Sequence, residues 1–172
     1  FALARLYREQ GAIGRAIRMH QNLLLRGDLD RSDRLEVLLE MARDFDVGGF
    51  HERAAAAYEE VLDAQPKNAE ALERLVSLHR DLRDYPHALA LCKRLRRVDR
   101  SRADAAGQGI LLSQADAQYA GGDHDGARAS LKKCLKRNKA CGSAWSLLGE
   151  IEVERGKDAK AIDAWRRGVT AD

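Results

Sequence analysis

The side chains that could carry chemistry are five histidines, three cysteines and a large set of charged residues. His20, His51, His79, His87 and His124 form no H-x-x-x-H or H-E-x-x-H pair, the spacing that sets two imidazoles on one helix face for a metal. His20 and His79 fall at packing positions and read as satisfied core residues. His51, His87 and His124 occupy equivalent turn-to-helix positions, so repetition explains them without a metal. Cys92, Cys134 and Cys141 are odd in number and contain no C-x-x-C, which argues against a disulfide framework or a zinc site and fits a reducing compartment. Cys92 and Cys134 stand at packing positions, where cysteine acts as a small hydrophobe. Cys141 opens a helix, where a thiolate is mildly stabilised, but no base adjoins it. There is no G-x-S-x-G, phosphate-binding loop or dinucleotide fingerprint. The expectation is a non-enzyme: no catalytic residue, no cofactor and no metal within these 172 residues.

The elements that position these side chains come from an internal repeat. Ala16, Ala54, Ala88, Ala127 and Ala161 each follow a turn and open an amphipathic segment. Two of the four intervals between them match the 34-residue tetratricopeptide (TPR) period, and two carry inserts. Five residues before each alanine stands Gly11, Gly49, Gly122 or Gly156, with Arg83 in the third repeat. That position ends a first helix, where glycine takes a left-handed conformation without strain. Twelve residues before each alanine stands Ala4, Ala42, Val76, Ala115 or Gly149, small enough to let two helices approach. Four residues after it stands a larger knob: His20, Tyr58, Cys92, Leu131 or Trp165. Trp145, Leu148 and Gly149 complete the signature in the last repeat, and Pro66 ends the second.

The resulting expectation is an all-α, right-handed TPR superhelix (an α-solenoid) of about five helix-turn-helix repeats, the first truncated. It forms a single domain over 1–172, with repeats near 1–30, 31–68, 69–103, 104–140 and 141–172. First helices are placed at 1–11, 31–48, 68–82, 104–121 and 141–155, and second helices at 13–26, 50–64, 85–98, 124–138 and 158–170. Asp123, Asp158 and Ser32 are the expected N-caps. The inserts, 26–34 and 100–109, are expected to lengthen the first helices of repeats two and four. The chain begins inside a repeat at Phe1, so a fragment of a longer protein is expected.

Composition agrees. Apolar residues make up 45% of the chain and charged residues 33%, which excludes a disordered chain. The net charge of +3 calls for no nucleic acid or membrane surface. No apolar run reaches the ~20 residues of a membrane span. Basic clusters at 93–102 and 128–139 fall on second helices. Nucleic-acid binding would interleave aromatic side chains for stacking, and only Tyr85 is near, so a solvated face is the preferred reading. An RNA-binding helical repeat of the pentatricopeptide kind remains an alternative that the 34-residue spacing disfavours.

The TPR resemblance implies protein binding, with the first helices lining a concave groove. Carried onto this chain, its groove positions are Arg5, Arg8 and Glu9; then Arg43, Asp46, Ser77, Arg80 and Asp81; then Asp116, Tyr119, Glu150 and Glu154. The groove would be basic at its N-terminal end and acidic at its C-terminal end, suited to a peptide of matching charge order. The lysine–asparagine clamp of chaperone-binding TPRs is absent, since Arg5, Arg43, Ser77 and Asp116 stand in its place. The truncated first repeat leaves an apolar face, and self-association through such an uncapped end is expected.

A closer resemblance rests on RAIRMHQNLL (Arg15 to Leu24), the insert after it, and RDF with Gly49, Arg53 and Ala54. These segments resemble the cytoplasmic domain of the lipopolysaccharide assembly protein B family (LapB, also called YciM). The resemblance implies a bacterial adaptor tethered to the inner membrane and facing the cytoplasm. It implies as partners the lipid A deacetylase and a membrane AAA+ protease, linked to regulate lipopolysaccharide biosynthesis. It also implies a rubredoxin-like metal knuckle with two C-x-x-C pairs elsewhere in a full-length relative.

Overall fold

Ten helices follow one another along the chain, with no strand among the described residues, which are 2–170 of the computed structural model. They pair into five hairpins. The first helices are α1 (Ala2–Glu9), α3 (Arg31–Val47), α5 (Ala69–Asp81), α7 (Arg100–Ala120) and α9 (Gly142–Glu154). The second helices are α2 (Ile13–Leu24), α4 (His51–Ala64), α6 (Tyr85–Leu95), α8 (His124–Arg137) and α10 (Asp158–Val169). Positions 1, 171 and 172 of the expected first and last repeats lie outside the described residues. Each helix packs on its neighbours in sequence, and first helices also meet across repeats: α1 on α3, α5 on α7, α7 on α9. This nearest-neighbour stacking is the TPR solenoid.

The turn position behaves as its residue types demand. Gly11, Gly49, Gly122 and Gly156 have φ between 69° and 78°, and Arg83 is forced to φ 60° at the same place. The small positions are buried: Ala4, Ala42, Ala115 and Val76 are at most 1% exposed. At Gly149 an added Cβ would lie 2.2 Å from the indole nitrogen of Trp165, so the ring would have to shift. The knobs His20, Tyr58, Cys92 and Leu131 fill the space between hairpins. Each fully buried large apolar side chain contributes about 1.5–3 kcal/mol.

The inserts lengthen α3 and α7 to 17 and 21 residues, against 13 for α5 and α9. Three local expectations are corrected. Asp30, not Ser32, caps α3; its extended backbone lets the carboxylate accept from Asp33 N at 2.7 Å. Helix α7 begins at Arg100 rather than near 104, because Asp99 caps it by accepting from Arg102 N at 3.0 Å. Asp158 is the first residue inside α10, and Lys157 holds the cap without a side-chain bond; the carboxylate faces the positive end of the helix instead. Asp123 caps α8 as expected, accepting from Gly126 N at 2.8 Å.

The buried side chains form two clusters that meet inside α7. One runs from Ile17 to Ile110 and the other from Leu111 to Ile151. Gly107 sits beside the divide, where a Cβ would come within 2.6 Å of the Arg137 guanidinium.

Candidate functional site

The first helices bring the expected groove residues onto successive repeats, but the two ends differ in what the charges do. At the N-terminal end they bind one another. Arg8 on α1 reaches α3, donating to Asp44 Oδ1 at 2.8 Å, Glu40 Oε2 at 2.7 Å and the Glu40 carbonyl at 3.2 Å. Arg5 lies 2.7 Å from Glu40 Oε1 and 3.1 Å from Glu36. Arg43 bonds Glu40 and makes a forked contact to Glu70 on α5, with Nε to Oε1 at 2.6 Å. The second oxygen of Asp44 lies 2.6 Å from His20 Nδ1 on α2. Glu40, Asp44 and His20 are all 0% exposed.

Burial alone would raise the pKa of Glu40. The guanidinium of Arg8, the charges of Arg43 and Arg8, and the Arg5 bond outweigh it and hold Glu40 below the ordinary glutamate range. The Arg43 fork lowers Glu70 against a smaller opposing effect of burial. The expected basic character of this end is therefore offset by Glu36, Glu40, Asp44 and Glu70. Glu9 stays exposed on the last turn of α1.

The sequence carries a signal for this network in the repeat. Asp44 occupies the register position held elsewhere by Leu6, Leu78, Ala117 and Ile151. A carboxylate where every other repeat has an apolar side chain, buried in the case of Leu78 and Ile151, demands a buried cation. His20 occupies the core position that its place in the repeat predicts. It is buried and bonded at Nδ1, but Nε2 has no partner.

In the middle of the chain, Asp46 lies 3.7 Å from Arg74. Ser77 lines a hollow of about 400 Å³ with Glu70, Glu73, Arg74 and Arg102. Arg80 turns onto Asp81, Nε to Oδ1 at 2.9 Å. Both line a second hollow of about 400 Å³ with Tyr85, Ser113 and Asp116.

At the C-terminal end Glu152 is buried against Arg128, but two carboxylates face space. Asp116 also borders a hollow of about 720 Å³, shared with Ser143, Ser146, Leu147, Glu150, Trp165 and Val169. Both Asp116 and Glu150 are exposed. Tyr119 donates to Glu154 at 2.7 Å, and His124 lies 3.0 Å from the same carboxylate. This end thus combines two exposed acids, two serine hydroxyls and apolar walls from Leu147, Trp165 and Val169, a surface able to take a basic and apolar side chain together.

The cysteines do not fit a metal knuckle. All three are free and buried. Burial, with Cys141 alongside, pushes the Cys134 thiol up to about 12, which makes it a poor nucleophile and a poor ligand. No described helix is long and apolar enough to cross a membrane.

Comparison with known proteins fits this geometry. A family described as the tetratricopeptide repeat protein 21 C-terminal ARM domain matches residues 22–169. Lipopolysaccharide assembly protein B of Escherichia coli strain K12 is 25% identical over 170 residues, covering 99% of this chain. The chain spans 44% of the length of that relative. Among solved structures, MamA superposes with a TM-score of 0.69 at 18% identity, covering 98% of this chain and 93% of its own. YrrB, described as a TPR protein with an unusual peptide-binding site, superposes at 0.63 and 16% identity, covering 98% of this chain and 82% of its own.

Proposed function

Because the chain belongs to the family of the tetratricopeptide repeat protein 21 C-terminal ARM domain, we propose that it is a non-catalytic adaptor whose first-helix groove holds a segment of another protein. The observation that carries this is the continuity of the groove through Asp116, which borders both the Arg80–Tyr85 hollow and the larger hollow of Glu150, Leu147 and Trp165. A segment lying along it meets the Arg80–Asp81 pair first and unpaired acids last. It would place basic and apolar side chains over Asp116, Glu150 and Trp165. The peptide-binding site described for YrrB gives the same fold a precedent for this use.

The finer reading follows the likeness to lipopolysaccharide assembly protein B. In it the adaptor works at the cytoplasmic face of the inner membrane. It holds the lipid A deacetylase for a membrane AAA+ protease, so that deacetylase level, and with it lipopolysaccharide synthesis, is set by degradation. The clustered polar contacts of the first three repeats support a rigid presenting surface rather than a catalytic pocket.

The test is a titration of labelled deacetylase with this chain and with its Asp116→Lys/Glu150→Lys variant. Saturable binding that weakens at least tenfold in the variant is the expected result. Equal binding by both would refute the groove and leave the adaptor. No binding by the wild-type chain would refute the deacetylase as partner, and capture of another protein through the same two carboxylates would then mark a different adaptor.

A further inference from the structure

The turn of the third hairpin carries a cluster that the groove does not use. His79 lies in the last turn of α5, Asp84 is the N-cap of α6, and His87 lies in the first turn of α6. Both imidazoles direct Nδ1 at one carboxylate oxygen. His79 Nδ1 is 3.2 Å and His87 Nδ1 2.7 Å from Asp84 Oδ2. The two rings lie 5.5 Å apart at a tilt of 32°, and the three ligand atoms fall within 4.8 Å of one another. No other group of three His, Cys, Asp or Glu side chains converges in this way among the described residues.

The backbone around the cluster is set before any ligand arrives. Asp84 N bonds the His79 carbonyl at 2.8 Å, which closes the helix end. Arg83 is held at φ 60° between them, and Pro86 fixes the first turn of α6. The cation nearest in sequence on α5, Arg80, is drawn away onto Asp81.

We infer that His79, Asp84 and His87 form a binding site for a divalent transition-metal ion such as Zn²⁺, which staples the turn of the third hairpin. Two imidazole nitrogens and one carboxylate oxygen are a borderline-soft set that suits Zn²⁺, Ni²⁺ or Cu²⁺ and not Mg²⁺ or Ca²⁺. A tetrahedral ion with bonds of 2.0–2.1 Å needs ligand atoms about 3.3 Å apart. The His79–Asp84 separation already meets this. The His87–Asp84 separation must open by about 0.6 Å to reach it, which an imidazole at 73% side-chain exposure can do by rotation. On binding, each neutral ring carries its proton on Nε2 and offers the Nδ1 lone pair. Water completes the shell from the solvent side. The site therefore resides in the one hairpin whose turn lacks glycine, where a cross-link between α5 and α6 has the most strain to restrain.

The test is calorimetric titration of the reduced, tag-free chain with ZnCl2, with thermal melts in Zn²⁺ and in Mg²⁺. One ion per chain is expected, with a melting temperature raised by Zn²⁺ and not by Mg²⁺. Asp84→Asn keeps the helix cap, because asparagine caps as well as aspartate, and is expected to weaken binding at least tenfold, as is His87→Ala. His51→Ala and His124→Ala are expected to leave it unchanged. Absence of a one-to-one event up to millimolar zinc overturns the site, as does binding that survives both Asp84→Asn and His87→Ala.

Discussion

Across the first three repeats the charged side chains of the groove face are tied to one another through α1, α3 and α5, whereas in the last two repeats Asp116 and Glu150 face an open hollow. The same helical repeat thus treats charge in two ways. In the N-terminal region a buried carboxylate, Asp44, sits at a position that packs apolar side chains elsewhere. Two acids and one histidine removed from water then require the guanidinium groups of Arg8 and Arg43. In the C-terminal region Ile151 holds the equivalent position and packs into the second cluster. Glu152 beside it is buried against Arg128, but Asp116 and Glu150 stay in water and keep their charge for a partner. What the difference teaches is that formal groove charge is a poor guide to binding charge. Arg5, Arg8 and Arg43 are spent on internal pairing, and a ligand would meet Asp116 and Glu150 at full strength.

The sharpest way to break this comparison is to remove the central cation. Arg8→Ala leaves Glu40 and Asp44 buried without their main partner, and such a loss costs about 3–5 kcal/mol. Arg5→Ala removes a guanidinium that is nearly half exposed, where an ion pair is worth about 0–1 kcal/mol. Urea denaturation of the two variants should differ accordingly. Similar small losses in both would mean that the network is a surface arrangement.

The next effect belongs to the C-terminal region, where space and not charge sets the limit. Gly149→Ala drives a methyl into the Trp165 ring, which closes over this position and donates its indole N–H to Ser146 O at 3.2 Å. Alanine favours the helix, but overpacking of this kind costs about 1–3 kcal/mol. A net loss of stability is expected, together with a shift in tryptophan fluorescence as the ring is displaced. An unchanged melt would show that the exposed side of Trp165 gives way freely.

Acid should separate the two regions by location. Glu40 and Glu70 titrate below their unfolded values in the folded chain. Their contribution to stability is therefore present above the unfolded glutamate pKa of about 4.3 and is lost as pH falls through the lower folded values. Hydrogen exchange below pH 4 should open α1, α3 and α5 before α9 and α10. Glu40→Gln should flatten the pH dependence of the melt, and a profile as steep as that of the parent chain would place the acid-labile groups elsewhere.

The repeat was legible because its constraints are local. A left-handed turn selects Gly11, Gly49, Gly122 and Gly156, a close helix crossing selects Ala4, Ala42 and Ala115, and both recur at fixed spacing. Helix ends were less legible where two candidate caps lie close together. Asp30 and Ser32 are both good caps, and only the backbone at Asp30 decides between them. The ion network was hidden for a different reason. Charged residues at helical spacing look the same whether they face water or a neighbouring helix. Only comparison of Asp44 with Leu6, Leu78, Ala117 and Ile151 points inward. The His79–Asp84–His87 cluster escaped notice because its side chains converge from two helices across a turn, with a spacing that matches no single-helix metal motif.

The smallest effect comes from the turn that departs from the repeat. Arg83 holds φ 60° where four glycines do the same without a Cβ. A left-handed conformation costs an L-residue roughly 1–2 kcal/mol, while glycine gives back about 0.5–1 kcal/mol through the greater entropy of the unfolded chain. Arg83→Gly should therefore stabilise the chain by about 0.5–1 kcal/mol, the difference of those two terms. Gly156→Ala, which places a Cβ in the equivalent turn of the last hairpin, should destabilise it by about as much or slightly more. Opposite signs in paired melts would establish that the turn, and not the side chain of Arg83, carries the strain. A loss on Arg83→Gly would show instead that the arginine side chain stabilises the third hairpin by more than its backbone strain.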